Sequence, residues 1–228
     1  MTHNSWFARI LRFIGIVLMA LTAGFTTLGG IGTFCAALFP TRYGSMAKLL
    51  PFQWLYIFFM ISGIAIGIWG IAATVMLIRG TARSYTTSLG ALVAGVVVGG
   101  VHIFMSRMLR GQSMPVDAVV YSSVFTLAVF LIFRIPGIWN GVDFSKGSSK
   151  SNRGAGAAAA ILVGALTLAI PFLMASTHTW DGFNYATAFN ASLTILGALQ
   201  VLGGIGLLVW PRKVSPVVGE LEKQPAAL

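Results

Sequence analysis

His102 is the one histidine of this sequence that falls inside a long apolar run. An imidazole there could contact a ligand, transfer a proton, or bind a metal or a haem iron axially. A single histidine with no second one near it in the chain is a poor metal site, so no metal is expected. At 100° per residue of helix, Ser88, Ala91, Gly95, Gly99, His102 and Ser106 fall on one stripe, while Leu92, Val97 and Phe104 lie off it. Small residues mark the side on which membrane helices approach closely. The spacing therefore points His102 into a helix bundle, about 7 Å along the axis from Arg107 at 1.5 Å rise per residue. Its expected role is a hydrogen bond to a neighbouring helix. Contact with a ligand is the second reading.

Other polar and aromatic residues cluster at the level of the apolar runs' ends. Thr41, Arg42 and Tyr43 end the first run, and Gln53, Trp54 and Tyr56 open the second. Ser106, Arg107 and Arg110 end the third; Asp117, Tyr121, Ser122, Ser123 and Thr126 open the fourth. The segment STHTWDGFNYATAFN adds His178, Trp180, Asp181, Asn184, Tyr185 and Asn190. Arg107 or Arg110 is expected to pair with Asp117 across a short connection. The bland reading of this set is an aromatic belt with surface ion pairs. The functional reading is an outward-facing vestibule with His102 near its floor, an aromatic-lined concavity with a few polar groups. Its expected ligand contacts are His102, Ser106, Arg107, Tyr121, Ser122, Thr126, Trp180 and Asn190.

Much chemistry is excluded. None of the five acidic residues lies in the interior of an apolar run, Asp117 standing at the very opening of the fourth, which removes carboxylate proton relays and paired-carboxylate catalysis from the middle of the bilayer. There is no phosphate-binding loop, dinucleotide fingerprint, HExxH or nucleophile elbow. Asn190-Ala-Ser192 fits a glycosylation acceptor but opens an apolar run, and we count it as chance. No catalytic residue is assigned and no cofactor is indicated.

The elements that hold these residues follow from composition. Of 228 residues 57% are hydrophobic and 9% charged, too few charges to cover a soluble domain. A hydrocarbon core about 30 Å thick needs roughly 20 apolar residues per helix. Six runs meet or approach this, at residues 13–39, 52–78, 88–105, 116–133, 156–174 and 188–210. The fold expected is an all-α membrane protein, a single-domain bundle of six transmembrane helices, with the first run retained as a helix. Residues 141–154, GVDFSKGSSKSNRG, read as a flexible loop between two three-span halves; residues 211–228 read as a polar tail. No shared motif relates the halves. If the N-terminus is cytoplasmic, inside segments carry eleven Lys and Arg and outside segments four, which favours N-in and C-in. A bacterial-type plasma membrane is the expected location.

Packing positions follow from spacing. Gly63 with Gly67 and Gly95 with Gly99 are four apart, and Gly197, Gln200 and Gly204 share a face with Asn190. These are read as helix contacts, with Gln200 bonded to a neighbouring helix. Gly29, Gly30 and Gly32 pack closely or mark a broken helix beside a cavity. Pro171 is a candidate kink. The net charge of +10 is assigned to membrane flanks and anionic headgroups, not to nucleic acid.

Two classes of function remain. Short loops and the lack of a catalytic constellation favour a non-enzymatic protein acting by association, a subunit or assembly factor of a larger membrane complex. Its partners would be the lipid bilayer and other membrane subunits. The alternative is a transporter or receptor-like binder of a small neutral, anionic or lipid-like molecule through the vestibule.

Overall fold

The computed structural model describes residues 2–3, 5–42, 44–146, 149–175, 179–180, 183–184, 187 and 189–209. It is helical throughout except for one short strand pair. α1 is Trp6–Gly32, begun by Ser5, whose hydroxyl accepts from the Ala8 N–H. α2 (Phe34–Leu38) follows after a break at Thr33. A 3-10 stretch at Gly44–Phe52 leads into α3 (Gln53–Arg79). α4 is Ser84–Arg110, α5 Val116–Phe133 and α6 Pro136–Val142. α7 is Ser149–Leu173; β1 (Thr179–Trp180) pairs antiparallel with β2 (Phe183–Asn184); α8 is Asn190–Val209. Gly80 and Gly111 end α3 and α4 at φ 68° and 74°, where a side chain would be strained.

Six helices are long and apolar enough to cross a membrane: α1, α3, α4, α5, α7 and α8. Their limits correct the expected ones in both directions. α1 begins at Trp6, since Arg9 and Arg12 continue the helix instead of preceding it. α4 runs to 27 residues, because Ser84–Thr87 and Ser106–Arg110 extend it past the apolar stretch at both ends. The segment 141–154 is more than a connection. Val142 and Phe144 are buried in the core, and Lys146 pairs with Asp143 at 3.2 Å. α7 starts seven residues earlier than expected, with Asn152 buried and donating to the Leu77 carbonyl at the end of α3. Residues 147–148 and the tail 211–228 lie outside the described residues.

α1 is central and packs on α3, α5 and α7. It crosses α3 where glycines let backbones meet: a Cβ at Gly63 would lie 3.0 Å from the Gly30 Cα, and one at Gly67 would strike Thr27. α8 packs principally on α7. There a Cβ at Gly197 would lie 2.9 Å from the Gly164 carbonyl oxygen, and one at Gly204 2.8 Å from that of Ala157. Thr167 donates to Gln200 Oε1 across the same interface at 3.0 Å.

The bundle end that holds the N-terminus is closed by aromatics. Phe130, Phe133 and Phe144 pack together, Tyr85 donates to the Phe130 carbonyl, and Arg134 lies 4.8 Å from the Trp139 ring centroid. The Arg134 contact contributes about 0.5–1 kcal/mol. Arg12 is 1% exposed; its Nη1 donates to the Gly141 carbonyl at 2.6 Å and to the His3 carbonyl at 3.1 Å.

Arg12 Nη1 also lies 3.2 Å from His3 Nδ1. A guanidinium has no lone pair to offer, so His3 Nδ1 accepts and the ring is neutral. Burial, then the Arg12 charge, holds the His3 pKa below its ordinary 6.5, against the opposite pull of the Lys146 backbone carbonyl, an acceptor for the ring, and of Asp143; the Lys146 charge adds to the lowering. A histidine lowered on folding contributes stability above its unfolded value and loses it as pH falls through the folded one. We therefore expect the wild-type melting temperature in detergent to fall more steeply below pH 6.5 than that of His3→Gln. Parallel pH profiles would exclude this linkage.

Candidate functional site

The break in α1–α2 opens a cleft. Thr33 ends α1 and begins α2, its N–H shared between the Gly29 and Gly30 carbonyls and its hydroxyl bonded to the Gly29 carbonyl. Gly29, Gly32, Thr33 and Ala36 form one wall of a cavity of about 100 Å³. Met46 and Tyr56 form a second wall, His102, Ser106 and Arg110 of α4 a third, and Ser113 to Val116 before α5 a fourth. The volume is ample for water, which needs about 30 Å³ per molecule in the liquid. A second cavity of about 40 Å³ lies deeper, bounded by Thr26, Phe59, Gly63, Gly95 and Gly99, with His102 in its wall too.

His102 stands where the two cavities meet. It is 8% exposed; its ring stacks on Phe59 with centroids 4.3 Å apart and lies edge-on to Tyr56 at 5.5 Å. Neither ring nitrogen has a hydrogen-bond partner among the described residues, which corrects the expected interhelical bond. The side chains facing it from α3 are the aromatic rings of Tyr56 and Phe59, so ring stacking positions the imidazole in the wall of both cavities.

The eight expected ligand contacts separate. Ser106 lines the cleft and shares a 3.0 Å hydrogen bond with the Tyr56 hydroxyl. Arg107, whose side chain is 56% exposed, turns away to pair with Asp117 at 2.9 Å. With that much solvent around the guanidinium the ion pair contributes little to stability. Ser113 also donates to the buried Asp117 carboxylate, so this acid is fully engaged. Tyr121 is exposed and lies against the Arg107 guanidinium. Ser122 and Thr126 belong to the α1–α5 contact, where Thr22 and Thr126 share a 2.7 Å hydroxyl bond. The backbone of Trp180 belongs to β1; Asn190 is an exposed residue at the start of α8 and does not line the cleft. Among the described residues the lining comes from α1 to α5 and the segments joining them. His178, Asp181 and Tyr185 lie outside the described residues.

The packing glycines divide as well. A Cβ at Gly99 would sit 2.5 Å from Val120 Cγ2, whereas Gly95 has ordinary room beside Ser123. Gly100, one residue on, has nothing within 4 Å.

Arg110, expected in the outer polar set and as a mate for Asp117 but not among the ligand contacts, lines the cleft. Its signal is present: His102, Ser106 and Arg110 are spaced i, i+4 and i+8, so the polar stripe of α4 runs one turn further than the apolar stretch. The Arg110 Nε is buried without a hydrogen-bond partner, and no carboxylate pairs with this residue among those described. Tyr56, Thr33 and Ser113 are lining residues that lie on other elements, and no spacing in the chain joins them to His102. Hydroxyls, a guanidinium and an imidazole in one concavity can bind a hydrogen-bonding solute. Comparison of the chain with protein-family models, with curated proteins and with solved structures finds no match in any of the three.

Proposed function

We propose that this protein is a multi-pass membrane protein that binds a small polar solute in the α1–α5 cleft, as a transporter or receptor-like binder. His102 carries the reading. Buried polar side chains are nearly always hydrogen-bonded, and here a nine-tenths buried imidazole adjoins two cavities with no partner among the described residues. A solute, or the water it displaces, would supply that partner. Association with other membrane subunits has no comparable support, since exposed apolar helix faces are what lipid requires of any such bundle.

Gly32 provides the test. It lines the cleft, and a Cβ there meets nothing within 4 Å. Gly32→Phe should fill the cleft at little cost in stability. Native mass measurement after gentle extraction should show a bound small molecule on the wild type that is missing from Gly32→Phe, with equal melting temperatures. A stable partner chain and no small molecule would favour the association reading instead.

We place the N-terminus inside, with the cleft opening outward. The helix directions put Arg9, Arg12, Arg79, Arg83 and Arg134 at one end of the bundle and Arg107 and Arg110 at the other. Basic residues concentrate on the cytoplasmic side. With Cys35 replaced by Ser, a cysteine at Ala82 in the exposed α3–α4 turn should resist impermeant thiol reagents in intact cells. Labelling from outside would invert the orientation.

A further inference from the structure

The geometry points to a small oxyanion, a short carboxylate above all, as the ligand of this cleft, with Arg110 as its charge partner. The inference rests on the cleft being a solute site and adds the chemistry of the solute. The charge balance is one-sided. Arg110 brings a positive charge whose Nε is buried without an acceptor. The acid nearest in sequence, Asp117, is occupied by Arg107 and by the Ser113 hydroxyl, whose single proton is shared between the two carboxylate oxygens. An uncompensated charge that is partly out of water is costly, and an arriving anion removes that cost. A guanidinium also holds a carboxylate through two parallel hydrogen bonds.

The remaining polar groups agree with this. Tyr56 and Ser106 bond to each other, so whichever donates, the other keeps one free O–H. The His102 ring, which carries an N–H in either charge state, belongs to the same wall. Beyond Asp117, which is already engaged, no carboxylate stands near the cleft among the described residues to repel an anion. Ala36, Met46 and Val116 complete the wall with apolar surface, which suits a short aliphatic tail. A cavity of about 100 Å³ holds a molecule the size of acetate or propionate.

A free carboxylate or phosphate and the headgroup of an anionic lipid share this chemistry, and the test separates them. The full chain is placed in nanodiscs of phosphatidylcholine. Its melting temperature is followed against sodium acetate, propionate, lactate and phosphate at constant ionic strength, with propionamide as the neutral match. One or more of the anions should stabilise the protein saturably while propionamide does not. Arg110→Gln should weaken that binding by roughly tenfold to a hundredfold, as loss of a charge-assisted hydrogen bond does. The unliganded variant should melt no lower than the wild type, because it loses a charge that lacked a partner.

If the soluble anions fail but phosphatidylglycerol stabilises the wild type and not Arg110→Gln, the oxyanion is a lipid headgroup. Equal stabilisation by propionate and propionamide, abolished by Gly32→Phe and untouched by Arg110→Gln, would overturn the anion and leave the solute site standing. No effect of any anion or of anionic lipid, in wild type or variants, overturns the inference. If Gly32→Phe also leaves the native mass spectrum unchanged, the solute site falls with it.

Discussion

Gly67→Ala should unfold the bundle or lower its melting temperature more than any other single-methyl change in it. A Cβ at Gly67 would strike Thr27 Oγ1 and sit 2.6 Å from the Thr27 backbone nitrogen. A side chain can rotate away from such a contact; a backbone nitrogen in the middle of α1 cannot. The helices must separate, and Gly30 against Gly63 separates with them. Alanine gains about 1 kcal/mol of helix propensity over glycine, while overpacking costs about 1–3 kcal/mol and more where nothing yields. The clash wins. Gly32→Ala, which meets nothing within 4 Å, should melt as the wild type does. Equal melting temperatures for the two variants in detergent would show that α1 and α3 do not cross at these residues.

Gly204→Leu should have an equally large but confined effect. Its Cβ would lie 2.8 Å from the Ala157 carbonyl oxygen and 3.1 Å from the Ile161 nitrogen, so α8 must leave α7. α8 rests principally on that one neighbour, whereas α1, α3, α4 and α5 hold one another. We expect α8 to become labile to protease in detergent while residues 6–133 stay protected. Gly203→Leu points into open space and should change neither property. Protection of α8 in both variants, or loss of the whole bundle in the first, would contradict this division.

The contrast with Gly99 shows what sequence spacing conveys. Four-residue glycine pairs locate a face, since 400° of rotation returns to nearly the same side of a helix. They do not say what stands opposite. Gly67 faces backbone, Gly99 faces a valine methyl and Gly95 faces little, so like-spaced residues carry different costs. The six spans were legible because apolar length is set by the bilayer itself. Their ends were less so, because Arg12 and Arg110 continue helices whose apolar stretches have stopped. Of the cleft, the α4 stripe was readable as far as Ser106. Tyr56 and Thr33 were not readable as neighbours of His102, since that proximity is made by α3 and α1 packing and leaves no period in the chain. Asn190 was grouped with the site on level alone, and two residues at one depth need not lie on one side of a bundle.

The hydroxyls of α1 bear on how such a chain is made. α1 precedes in the chain every helix that packs on it, so it is synthesised before them. During that interval its side chains have only lipid and their own helix to bond with. Thr26, Thr27 and Thr33 donate to the carbonyls of Thr22, Ala23 and Gly29, each four residues back. These three are satisfied before any neighbour exists, so the helix can stand alone in hydrocarbon without an orphan hydroxyl. Thr22 is different: its partner Thr126 is 104 residues further on and appears only when α5 is in place. Its bonds to Thr126 and to the Ser122 carbonyl wait on the fourth span, after α3 has already packed on α1, so this one hydroxyl is the last of the helix to find its partner.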